Sequence, residues 1–191
     1  MLRQPAEQVE SNERRYEDMN ERFLTLIRHA EAGAEHGSRT PDIDRPLTER
    51  GRGDATRLGA HLARLGLEPD ALWTSDALRA MATADILAGS LSLPNSAVCV
   101  RGDLYLAHTS TLCDAIREVG PETQHLAVVG HNPGLAELWD WACDKNGFGL
   151  PTCGIARLRI EIERWGQLER GSAELIEFDR PEPDALSRAE R

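Results

Sequence analysis

The chain has 191 residues, 40% of them apolar and 5% aromatic, with a formal net charge of -10 at pH 7. That length suits one domain with a complete core of aliphatic side chains, and the acidic balance argues against a nucleic-acid partner, whose phosphates call for clustered Lys and Arg. No apolar run nears the ~20 residues that span a bilayer and the N-terminus has no short apolar signal core, so no membrane partner is expected and the expected location is the cytoplasm.

Residues 1–21 carry many charges of both signs and few apolar side chains, and are read as a charged, mobile N-terminal arm that buries too little surface to offset ordering. The folded domain is expected over 22–179, with 180–191 a polar tail. Within it, Phe23–Ile27 reads as a buried strand that ends at Arg28-His29, with Gly33 beyond. Thr48 is a candidate cap for a helix whose Ala55, Leu58, Gly59, Leu62 and Leu65 form one stripe, and Gly66 should stop it. Ala71–Thr74 is a second strand. It leads into a helix over about 77–87 with Leu78, Met81, Ala82 and Ile86 available for burial, and a third helix covers about 110–119. Leu126–Val129 is strongly strand-like and ends at Gly130-His131, after which Asn132-Pro133-Gly134 opens a helix. From Gly154 the pattern alternates, and Ala173–Phe178 supplies an antiparallel partner. Repeated strand–helix–strand units predict an α/β fold, a three-layer α/β/α sandwich with a mostly parallel central sheet and an antiparallel C-terminal edge hairpin.

Ligands of such sheets bind beyond the carboxyl ends of the strands. Arg28 and His29, the segment Ser75 to Arg79, and Gly130 to Asn132 all fall there and should share one pocket. Two arginines and two histidines are what metal-free phosphoryl transfer needs. The planar guanidinium fork suits phosphoryl oxygens, and a neutral imidazole is a nucleophile whose phosphorylated form hydrolyses readily. Glu31, Glu35, His29 and His36 lie close in sequence, but their spacing fits no familiar zinc pattern, and Cys99, Cys113, Cys143 and Cys153 are scattered. No metal and no other cofactor is expected. His61 and His125 read as structural residues.

The string LIRHAEAG resembles the Arg-His-Gly signature of the histidine phosphatase superfamily, with Ala30 where glycine is usual. TSDALRAMATADIL is similar to its second-arginine segment, with Asp76 and Ala82 where proline and glutamine are frequent, and VVGHNPGLAEL to its second-histidine segment. With RPLTERGRGDATRLG and LPTCGIARL, the pattern resembles the short SixA-type phosphohistidine phosphatase branch. The resemblance implies that His29 is the nucleophile and that Arg28, Arg79 and His131 bind the phosphoryl oxygens, with Asn132 and Thr74 or Ser75 as supporting donors and Arg45 near the pocket mouth. It implies a phosphorylated protein or a small phosphorylated metabolite as substrate, and inorganic phosphate as product and inhibitor. Phosphomonoesterases of this superfamily place a glutamate acid on a long insertion that residues 94–123 do not show. Glu31, Asp44, Asp103 and His108 are the nearest candidates. An imidazole leaving group has a pKa near 6.5 and departs with little help, so the missing acid favours phosphohistidine over a sugar phosphate or nucleotide.

Overall fold

The computed structural model describes residues 21–33, 39–147 and 149–179. Six strands form one sheet: β1 (Glu21–Arg28), β2 (Ala71–Thr74), β3 (Val98–Val100), β4 (His125–Gly130), β5 (Ile155–Glu161) and β6 (Ala173–Asp179), in the order β3-β2-β4-β1-β5-β6. β1, β2, β3 and β4 run parallel, whereas β5 pairs antiparallel with both β1 and β6. The expected sandwich and C-terminal hairpin are therefore present. Glu21, left in the N-terminal arm by the sequence, is the first residue of β1 and pairs with Glu161; the rest of that arm and the 180–191 tail lie outside the described residues.

Alternation along the strands makes two apolar faces. Leu24, Leu26, Leu126, Val128, Leu158 and Ile160 face one helical layer, formed by α3 (Thr109–Arg117) and α4 (Gly134–Cys143). Ile27, Ala127, Val129 and Ile155 face the other, formed by α1 (Glu49–Arg64) and α2 (Leu78–Ser90). In α1 the expected stripe is buried up to Leu62, and Leu65 is 48% exposed because the helix has already ended. Thr48 caps α1 by accepting from the Gly51 amide at 2.9 Å, and Gly66, at φ +67°, terminates the segment where L side chains are strained.

The buried face of α2 is rotated from the expected one, with Ala82 and Ile86 partly buried against the core at its edge. Leu78 is 43% exposed, while Arg79, Ala80, Thr83, Ala84, Leu87 and Ala88 are inward. Apart from Leu87 and Arg79 the inward face is made of small residues, and Arg79 in the first turn lies on that same face. β3 was not anticipated: three residues with an exposed Val100 carry too little apolar periodicity to be recognised.

Candidate active site

The carboxyl ends of β1, β2 and β4 are level with one another: Arg28 pairs with Gly130 and Thr74 with Val129. The residues that follow therefore emerge together. They open on a cavity of about 400 Å³ lined by Arg28, His29, Arg79, His131, Asn132 and Arg45, with Glu31, Asp42, Leu106 and Thr152 also on its wall.

His29 is fixed through both backbone and ring. Its amide donates to Gly130 O at 3.1 Å, and the Cys153 amide donates to the carbonyls of Arg28 and His29 at 3.1 and 3.2 Å. The ring Nδ1 lies 2.7 Å from Ala30 O. A carbonyl only accepts, so Nδ1 carries the proton and Nε2 keeps its lone pair. That Nε2 meets the Arg79 Nε–H at 3.2 Å on the pocket side. Burial lowers the His29 pKa to about 4, the nearby Arg79 and Arg28 charges adding to the effect while the Ala30 bond opposes it. The ring is neutral at pH 7, the state a nucleophile requires.

Thr83 supports this arrangement from beneath and carries no signal in the sequence pattern. Its hydroxyl accepts from the Ala30 amide at 3.1 Å and donates to Arg79 O at 2.7 Å. One buried hydroxyl thus joins the residue that orients His29 to the helix that delivers Arg79.

His131 lies with its ring centroid 5.0 Å from that of His29. Its Nε2 is 2.6 Å from Ser75 Oγ, and its Nδ1 is 3.4 Å from Arg79 Nη2. Ser75 can donate or accept, which lets His131 Nδ1 act either as acceptor toward Arg79 or as donor to an oxyanion. Burial, then the His29 and Arg79 charges, lower the His131 pKa to about 3. Of the pair Thr74 and Ser75, only Ser75 reaches the site; Thr74 Oγ1 donates to its neighbour's carbonyl. Leu150 O accepts from Arg28 Nη1 at 3.0 Å and Asn132 Nδ2 at 2.8 Å, so one carbonyl holds two pocket walls.

The candidate acids separate. Glu31 lines the pocket, but its Oε1 accepts the Thr48 hydroxyl at 2.9 Å. Asp44 is exposed, and neither it nor His108, also exposed at the start of α3, lines the cavity. Asp103 is drawn away by Arg101, whose Nη2 donates to it at 2.6 Å. Arg45 reaches the pocket, yet its guanidinium is held by Asp42 Oδ1 at 3.1 Å and Ala32 O at 3.2 Å. The carboxylate the sequence did not single out is Asp42. It accepts from Tyr105 Oη at 2.8 Å and Arg79 Nη2 at 2.7 Å, and these bonds hold it at a pKa of about 2. Glu35 and His36 lie outside the described residues, and no group of three His, Cys, Asp or Glu suited to a metal occurs among the described residues.

A model of the histidine phosphatase superfamily (branch 1) matches residues 24–98. An uncharacterized protein of Mycobacterium tuberculosis is 32% identical over 165 residues, covering 81% of this chain and 99% of that one. The chain belongs to the histidine phosphatase superfamily. Among solved histidine phosphatase-like structures, one from Nakamurella multipartitia assigned as phosphohistidine phosphatase SixA superposes with a TM-score of 0.69 at 26% identity, covering 85% of this chain and 98% of the other. The protein histidine phosphatase SixA complexed with tungstate gives 0.70 at 21%, covering 83% and 97%. A mycobacterial glucosyl-3-phosphoglycerate phosphatase gives 0.63 at 18%, covering 82% and 97%; these last two likenesses concern the fold. No helix among the described residues is long and apolar enough to cross a membrane.

Proposed function

We propose that this histidine phosphatase removes phosphate from phosphohistidine on a protein. His29 Nε2 attacks phosphorus in line, the P–N bond to the substrate imidazole breaks, and the departing nitrogen takes the electron pair and a proton from solvent. Water then attacks phospho-His29, returning the Nε2 lone pair and releasing inorganic phosphate. Arg28 and Arg79 neutralise the equatorial oxygens and His131 Nδ1 donates to one of them, with Asn132 beside it.

The observation that carries the choice of substrate is the state of the two pocket carboxylates. Glu31 accepts from Thr48, and Asp42 is clamped by Tyr105, Arg79 and Arg45. Both are engaged as hydrogen-bond acceptors, which suits a leaving group that needs little protonation. The likeness to a SixA structure points the same way. Turnover of a phosphohistidine protein should exceed that of phosphoserine and para-nitrophenyl phosphate by at least tenfold in kcat/KM. Efficient ester hydrolysis without P–N cleavage would sink this choice.

A second reading, a small-molecule phosphomonoesterase, draws on the position of Glu31. Glu31 is on the cavity wall, and release of its carboxylate from Thr48 would let it serve an alkoxide leaving group. Loss of ester hydrolysis in Glu31→Gln, with P–N cleavage kept, would mark that activity.

A further inference from the structure

Arg79 uses the two edges of its guanidinium differently. The side edge, Nε and Nη2, faces the histidines: Nε donates to His29 Nε2 at 3.2 Å and Nη2 lies 3.4 Å from His131 Nδ1. The end edge, Nη1 and Nη2, is taken by one residue. Nη1 donates to Asp42 O, and Nη2 to Asp42 Oδ2 at 2.7 Å. Asp42 is itself held, since Tyr105 Oη donates to the same Oδ2 at 2.8 Å and Arg45 Nη1 to Oδ1 at 3.1 Å. The Tyr105 ring also stands edge-on to His131, centroids 5.5 Å apart.

We infer that Asp42 is a positioning residue for phosphoryl transfer: by filling the end edge of Arg79 it fixes the guanidinium plane so that the side edge is aimed at the space between His29 and His131. This rests on the reading that Arg79 binds the transferring phosphoryl group. An arginine fork contributes most when its plane matches the oxygens it meets, and a fork free to rotate on its long stem loses orientation first. A carboxylate on the far edge supplies that fixation without standing between the nucleophile and phosphorus. Its side chain is 45% exposed, while that of Arg79 is 5% exposed. The orienting group therefore sits on a short surface turn, Asp42–Asp44, and the oriented group in the interior. Asp42 is held as a carboxylate, a hydrogen-bond acceptor with no proton to give, which separates this role from that of a general acid.

The geometry allows one rival, in which Asp42 stands in for substrate and must leave before an oxyanion binds. The two make opposite predictions. If Asp42 positions Arg79, Asp42→Ala lowers kcat at least tenfold and weakens vanadate, a mimic of the five-coordinate transition state, by a similar factor. KM and inhibition by phosphate then change less than threefold. Asp42→Asn, which keeps an acceptor oxygen, falls between wild type and alanine. Tyr105→Phe, which removes only the hydroxyl behind Asp42, shifts both quantities in the same direction by a smaller factor. Tighter phosphate and vanadate binding in Asp42→Ala with kcat kept or raised overturns the inference, as does an unchanged kcat and vanadate affinity. Turnover is measured on whichever of phosphohistidine protein and para-nitrophenyl phosphate the wild type cleaves faster, so a wrong choice of substrate leaves the comparison intact. A wild type that bound no vanadate would overturn both the site and the role of Asp42.

Discussion

Replacing Thr83 by valine removes one oxygen from the interior and keeps the shape of the side chain. In the native fold that oxygen accepts from the Ala30 amide at 3.1 Å and donates to Arg79 O at 2.7 Å. Arg79 O keeps its helical partner, but the Ala30 N–H is left in a fully buried place with no acceptor. An orphaned buried amide costs ~1–3 kcal/mol, and in a domain of this size each kcal/mol moves Tm by about 2–4 °C. A cost of about 2 kcal/mol would thus lower Tm by ~4–8 °C. The kinetic effect is separate. Ala30 O sets the proton on His29 Nδ1, and an Ala30 residue no longer anchored through its amide holds the following carbonyl less firmly, so kcat should fall about tenfold, equivalent to ~1.4 kcal/mol. Calorimetry and steady-state kinetics on wild type, Thr83→Val and Thr83→Ser read both effects, serine being expected to restore most of each. A valine variant with native Tm and native kcat would refute the claim that this hydroxyl ties the His29 segment to the arginine helix.

Burial holds His29 and His131 neutral, at about 4 and about 3, so proton-coupled NMR of imidazole-labelled protein should show both rings unprotonated at pH 5.5; titration near 6.5 would contradict their burial. His125 is a core histidine at 2.8 Å from Thr25 Oγ1, its pKa lowered to about 4 chiefly by burial. Here the unfolded chain binds the proton more tightly than the fold does, so its contribution is constant above pH 6.5, is lost progressively from 6.5 to about 4, and stays lost below. The shift corresponds to about 3 kcal/mol, and denaturant titrations of His125→Gln should show a correspondingly weaker fall in stability over that interval; identical pH slopes in the two proteins would rule it out.

Much of the fold was legible because its signals are local and redundant. The apolar run of β1, the stripe of α1 with its Thr48 cap and Gly66 stop, and the run of β4 each state a period and an end point. The central site was legible for a related reason: Arg28-His29 and Gly130-His131 stand at the ends of strands whose carboxyl ends a parallel sheet must align. What escaped the sequence depends on which loop closes over which strand. Asp42 and Tyr105 are 63 positions apart and meet only through tertiary contact. Thr83 looks like an ordinary helical threonine until the Ala30 amide is seen above it. Asp103 looked available as an acid, yet its partner is Arg101, only two residues away. Of the expected α2 face, Ala82 and Ile86 pack against the core while Leu78 is exposed, because hydropathy favours Leu78 over Ala80 and Ala84, whereas the buried face is made largely of small residues.

That small-residue face of α2 has a consequence for how the protein can vary. Ala80, Ala84 and Ala88 are buried in the apolar core on the same helix that carries the buried Arg79. A larger side chain at any of them must displace packed neighbours, and a shift of α2 carries Arg79 with it. On the proposed mechanism core volume and substrate chemistry are consequently not separate selective pressures along this helix: a chain drifting toward a larger, greasier interior here would disturb the aim of Arg79 along with the packing.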